Sequence, residues 1–104
     1  MLTIHQIAQF GEFKIYDGKG MAIVHNSNLD FEEGHTHVYN VGYAKHLISI
    51  AREKTIPKYK DLRFLESLRR ITENQEVRQE IAELIEVKKG KHKQDYVNVQ
   101  KGVR

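Results

Sequence analysis

Residues 13–25 read Phe13-Lys14-Ile15-Tyr16-Asp17-Gly18-Lys19-Gly20-Met21-Ala22-Ile23-Val24-His25. Two short runs of β-branched and aromatic residues flank Asp17-Gly18-Lys19-Gly20, whose glycines supply the positive φ angles a tight reversal needs. The segment is predicted to be a β-hairpin. Upstream, residues 3–9 fit a third strand or a short helix equally well. Downstream, Asn26 to Thr36 is polar and irregular, as expected of a loop.

From Asn40 the period changes. Ala44, Leu47, Ile48 and Ala51 recur at i, i+3, i+4, i+7, the spacing of a helix that buries one face. Asn40 can cap its first amides. Pro57 ends it, because the residue before a proline is pushed out of the α region. A second helix is predicted from about Tyr59 to Ile71, apolar around half its circumference through Leu62, Phe64, Leu65, Leu68 and Ile71. A third is predicted from about Gln75 to Lys89, with Thr72 or Asn74 as cap and Gly90 as the stop. The expected fold is α+β, an N-terminal β-hairpin packed on a three-helix bundle. Residues 1–90 are expected to form one domain and residues 91–104 a basic C-terminal tail.

Composition agrees with this. With 39% apolar and 30% charged residues in 104, the chain has the balance of one folded globular domain rather than a disordered one. Its longest apolar run is far short of the ~20 residues a helical membrane span requires. Met1 to His5 lacks the basic and apolar regions of a secretory signal, which points to a cytoplasm. The absence of cysteine excludes disulfides, thiolate metal sites and cysteine nucleophiles. The net charge of +3 is unevenly spread. Lys88 to Arg104 holds six basic residues and one acid, whereas residues 1–87 hold 11 basic and 13 acidic ones. A basic tail attracts phosphate without specifying a sequence. A solvated terminus is the alternative reading.

The densest chemistry lies in Asp30-Phe31-Glu32-Glu33-Gly34-His35-Thr36-His37. Two histidines one residue apart in an extended segment point the same way. His25, at the end of the second strand, approaches them if the loop folds back. Three imidazoles and a carboxylate suit Zn²⁺ in a protein without thiolates. The expected set is His25, Asp30, His35 and His37, holding a structural zinc. Glu33 is an alternative fourth ligand and His46 a weaker one, since it is expected to face solvent. Such a staple would order a long polar loop in a small domain. Ordinary polar surface is the competing explanation.

Gly34-His35-Thr36-His37 resembles the Gly-His-Thr-His signature of calcineurin-like metallophosphoesterases. The earlier Asp-x-His and the Gly-Asn-His segment those enzymes need are missing, and the chain is too short for their layered fold. With no Gly-rich phosphate loop and no nucleophile–base–acid set, a non-catalytic protein is expected.

Glu73, Glu76, Glu80 and Glu83 follow one another at spacings of three and four along one edge of the third helix. Such a row can imitate a phosphate track and dock on a basic surface, although most such rows are simply solvated. The first two helices suggest a helix-turn-helix only weakly. Their connection contains a proline and no glycine, and the second helix is too apolar to leave a full polar face for base edges. Lys60, Arg63, Arg69 and Arg70 could supply part of one. A small DNA-binding accessory or regulatory protein, using these residues and the tail, is therefore the second functional reading.

Several segments together resemble the small accessory proteins of phages and prophages of low-GC Gram-positive bacteria. They are Ile23-Val24-His25-Asn26, Phe31-Glu32-Glu33-Gly34-His35-Thr36-His37, Tyr43-Ala44-Lys45-His46-Leu47-Ile48, Phe64-Leu65-Glu66-Ser67-Leu68-Arg69-Arg70-Ile71 and the lysine-rich end. Within that group the chain is similar to metal-containing type II-A anti-CRISPR proteins. The resemblance implies a monomer in the host bacterial cytoplasm that binds the Cas9 nuclease stoichiometrically and blocks target DNA loading or cleavage. Under it the zinc is structural, and Glu32, Glu33, Glu73, Glu76, Glu80 and Glu83 are the expected contacts with the positively charged channel of Cas9. Unlike many such inhibitors, this chain is net basic, so acidic mimicry would be local.

Overall fold

The computed structural model describes the backbone of residues 5–101 and the side chains of residues 5–90. Four strands, β1 (His5–Phe10), β2 (Phe13–Asp17), β3 (Ala22–Asn26) and β4 (His35–Val38), precede three helices. These are α1 (Val41–Glu53), α2 (Leu62–Ile71) and α3 (Gln75–Lys101). The strands form one antiparallel sheet in chain order, so the α+β class holds. The expected hairpin is its central pair, β2–β3. A strand is added on each side of it.

Both additions follow from local chemistry. Phe10 pairs with Phe13 across Gly11-Glu12, and Gly11 takes a φ of +60° that suits the first position of a tight reversal. This resolves residues 5–9 as strand, with a register shift between Gln6 and Ala8. Residues 3 and 4 lie outside the described part. On the other side, Gly34 closes the loop so that His35 to Val38 can pair with β3. A Cβ at Gly34 would sit 2.5 Å from the Leu29 Cβ, so only glycine fits there.

Register assigns the two faces of the sheet. Ile15, Val24 and Thr36 lie in one row and are buried, as are Ala22 and Val38 in the next. The alternate rows, Lys14–His25–His35 and Tyr16–Ile23–His37, therefore occupy the opposite face. Helix α1 lies over β2, β3 and β4, α2 reaches β3 and β4, and α3 packs on α2. Leu47, Leu65 and Ile71 are fully buried at the centre. Burial of such apolar surface is the main force holding the layers together.

The helix ends are locally determined. Asn40 caps α1 as expected, its side chain accepting from the Tyr43 N–H at 2.8 Å. Helix α2 begins at Leu62 rather than Tyr59, because the Asp61 carboxylate caps the Phe64 N–H at 2.9 Å. The preceding residues are spent in a turn in which the Lys60 N–H donates to the Pro57 carbonyl. Asn74 caps α3 through the Val77 N–H at 3.1 Å. Gly90 does not stop α3, whose backbone continues to Lys101. A helical glycine costs only about 1 kcal/mol relative to alanine, and its neighbours are good helix formers. The tail side chains beyond Gly90 lie outside the described ones. No helix among the described residues is long and apolar enough to cross a membrane.

Candidate functional site

The loop from Ser27 to Gly34 folds back over the outer face of the sheet. Its backbone is closed by the Asn26 N–H donating to the Gly34 carbonyl at 3.0 Å and the Gly34 N–H donating to the Asp30 carbonyl at 2.8 Å. This brings Phe31 onto the sheet, where it stacks on His35 with ring centroids 4.4 Å apart and planes 8° apart. The His25 ring lies 5.1 Å from Phe31 on another side, and Tyr16 meets it edge-on at 6.5 Å. His37 stands edge-on to His35 at 5.3 Å.

The three expected histidines are thus neighbours, but phenylalanine organises them. His25 directs Nε2 at the Leu29 carbonyl, 2.9 Å away, and His35 directs Nδ1 at the Phe31 carbonyl. Each such N–H donation fixes the ring orientation and tautomer. For Asp30 the bond that counts here is through its backbone carbonyl. No group of three or more His, Asp or Glu side chains among the described residues is placed to hold a metal ion. Arg70 ties the loop down, donating from Nε to the His35 carbonyl at 2.8 Å and from Nη2 to the Glu32 carbonyl at 3.3 Å.

Beneath the start of the loop lies a buried polar junction that sequence reasoning missed. Asn26 is fully buried, and its Nδ2 donates both to the Ile71 carbonyl at 2.9 Å and to Glu73 Oε1 at 3.0 Å. Its Oδ1 accepts from the Asn28 N–H, while Asn28 Nδ2 donates to the same Glu73 oxygen, both at 2.9 Å. Glu73 precedes α3 rather than sitting on it, and its carboxylate ties β3 and the loop to the end of α2. It is the only one of the four expected stripe glutamates used this way among the described residues. Hydrogen bonds from Asn28 and then Asn26 hold its carboxyl below the usual glutamate range, with Lys54 adding a smaller effect.

A group whose folded pKa is depressed contributes stability above its unfolded pKa and loses it as pH falls through the folded value. Glu73 should therefore contribute at neutral pH and progressively less in the acid range below the ordinary glutamate pKa. Because its carboxylate is largely exposed, the effect is small. Chemical denaturation from neutral pH to strongly acid pH should show Glu73→Gln losing less stability on acidification than the parent. Parallel curves would show that Glu73 contributes no pH dependence.

Glu76, Glu80 and Glu83 stand exposed on α3, as do Glu32 and Glu33 on the loop. Gln79 donates to Glu83 at 3.2 Å. The ion pairs among the described side chains involve Glu66, with Arg69 at 3.3 Å and Lys89 at 3.5 Å. Arg69 and Arg70 are thus occupied internally, which weakens a DNA-reading face on α2 that depends on them.

A second surface has no signal in the sequence because it draws on four separate segments. Tyr39 and Tyr43 meet edge-on at 5.6 Å, and Tyr43 and His46 flank Phe64 at 5.8 and 5.5 Å. The Arg63 guanidinium lies 5.1 Å from the Tyr39 ring and donates to its hydroxyl. Lys60 Nζ stands 4.8 Å from the Phe64 ring and 5.4 Å from the Tyr59 ring. Burial, followed by the nearby Asp61 and Tyr39, raises the Tyr43 pKa, and Arg63 opposes this. No family model, curated protein or solved structure matches the chain.

Proposed function

We infer that this chain is a non-catalytic binding protein of the anti-CRISPR kind, which associates with Cas9 and keeps target DNA from loading or being cut. The supporting observation is the separation of its glutamates into two populations. Glu73 is consumed by the asparagine junction, whereas Glu76, Glu80 and Glu83 face solvent in a row on a regular helix. Their axial steps are about 6 and 4.5 Å at 1.5 Å per residue. A row of carboxylates on a rigid support suits a positively charged channel that normally holds a nucleic-acid backbone. The choice of Cas9 rests on the resemblance, which spans most of residues 20–93. The expected zinc would be structural and would take no part in the contact.

Adding purified protein to the Cas9–guide complex before target DNA tests this directly. Cleavage should be suppressed at a few-fold molar excess. The triple substitution Glu76→Gln, Glu80→Gln, Glu83→Gln should preserve the helix and weaken inhibition at least tenfold, a loss of about 1.4 kcal/mol. Undiminished cleavage in the presence of excess parent protein would remove the assignment. Equal inhibition by parent and triple variant would remove the acidic face as the contact.

A further inference from the structure

The aromatic surface between α1 and α2 plays no part in the acidic contact with Cas9. It combines two exposed tyrosines, Tyr39 at 57% and Tyr59 at 77% exposure, with the cations of Arg63 and Lys60 held against their rings. An exposed tyrosine costs hydration of its apolar ring, so two of them beside paired cations form a surface suited to a flat, anionic ligand. Asp61, the acid nearest in sequence, has a carboxylate oxygen engaged by the Phe64 N–H as the α2 cap. Capping leaves Asp61 its negative charge, so Arg63, Lys60 and Asp61 together carry a net positive charge of one. A groove of about 270 Å³ opens beside this ladder, lined by Met21, His37, Tyr39, Tyr43 and Arg63 among others.

We propose that this face binds single-stranded nucleic acid, with bases stacking on Tyr39 and Tyr59 and backbone phosphates meeting Arg63 and Lys60. Stacking on aromatic side chains flanked by cations is how single strands are held without sequence preference. A duplex hides its base faces and gains little from such a surface. A protein partner would also find aromatic anchors here, but phosphates match the two cations better than a neutral or basic chain does. The tyrosines act as platforms and the cations bind the backbone.

The chain contains no tryptophan and five tyrosines, so its intrinsic emission reports directly on stacking. At low salt, oligothymidine should quench that emission and raise the anisotropy of a labelled strand. Tyr59→Ala and Tyr39→Ala should each weaken binding by on the order of tenfold, while Tyr59→Phe retains it. Lys60→Gln should flatten the logarithmic salt dependence by about 0.7 for each phosphate left without its cation. Circular dichroism of the same variants checks that they remain folded. Absence of binding at low salt would overturn the proposal. So would duplex affinity equal to single-strand affinity, or unchanged binding by the double variant Tyr39→Ala, Tyr59→Ala, which would assign the attraction to cations elsewhere.

Discussion

Asn26→Ala is expected to destabilise the protein by about 3 kcal/mol, read as a lower midpoint in urea denaturation. Each buried polar group left without a partner costs about 1–3 kcal/mol. Asn26 serves three groups, the Ile71 carbonyl in the interior and, nearer solvent, the Glu73 carboxylate and the Asn28 N–H. Glu73 keeps Asn28 and is near solvent, so its share is the smallest. The Ile71 carbonyl is different, because it lies at the end of α2 where no further helical N–H reaches it. Asn26→Asp should be worse than alanine at neutral pH. It places a second carboxylate against Glu73 and replaces both donated bonds with repulsion. Part of that loss should return on acidification, as a protonated carboxyl regains a donor. A double-mutant cycle with Glu73→Gln measures the coupling between the two side chains. An Asn26→Ala effect below 1 kcal/mol would show that the junction does not hold the sheet to α2.

This junction is not legible in the sequence, and the cause is separation along the chain. Asn26 and Ile71 are 45 residues apart, and periodicity reports nothing about pairs at that distance. The legible features are those written into a few adjacent residues. Asn40 as a cap, Ala44–Leu47–Ile48 as a buried face and Asp17-Gly18-Lys19-Gly20 as a reversal each depend on nearest neighbours. The β1–β2 turn uses the same kind of signal, Gly11 between Phe10 and Phe13, but β1 carries too little alternation to declare itself. Gly90 looks like a stop and is not one, because a glycine's cost in a helix is modest and good helix formers on either side outweigh it. Strand alternation does place the histidines side by side. The group that fills the space among them, Phe31, depends on how the loop folds, and loop closure has no periodic signature. The aromatic ladder is hidden for the same reason, since Tyr39, Tyr43, Tyr59 and Arg63 come from two helices and the segments before them.

The sheet and all three helices share one apolar core, to which α3 contributes Ile81 and Ile85. Through its described residues α3 meets the body mainly at α2, and it carries the glutamates proposed to meet Cas9. The rigidity of that acidic row thus depends on a small number of side chains, and disturbing them should affect binding through position rather than charge.

Ile81→Ala tests that dependence and is expected to cost about 3 kcal/mol, within the range for truncating a buried isoleucine. Ile81 is fully buried, Ile85 nearly so, and Val77 and Leu84 pack at the margin, completing the described apolar contact of α3 with the body. Ile81 also lines a cavity of about 370 Å³ bounded by Leu68, Ile71 and the Glu73 segment. Removing its outer carbons enlarges that space and forfeits the contacts its side chain makes. The conservative Ile81→Val should cost only about 1 kcal/mol. Because Ile81 and Ile85 are the buried apolar anchors among the described residues of α3, the damage should concentrate there. Hydrogen exchange should show α3 amides losing protection by more than those of β2 and β3, the mark of a local unfolding unit. Inhibition of Cas9 should weaken in parallel, although every glutamate is still present. Equal loss of protection across helix and sheet would instead show that α3 and the core unfold as one.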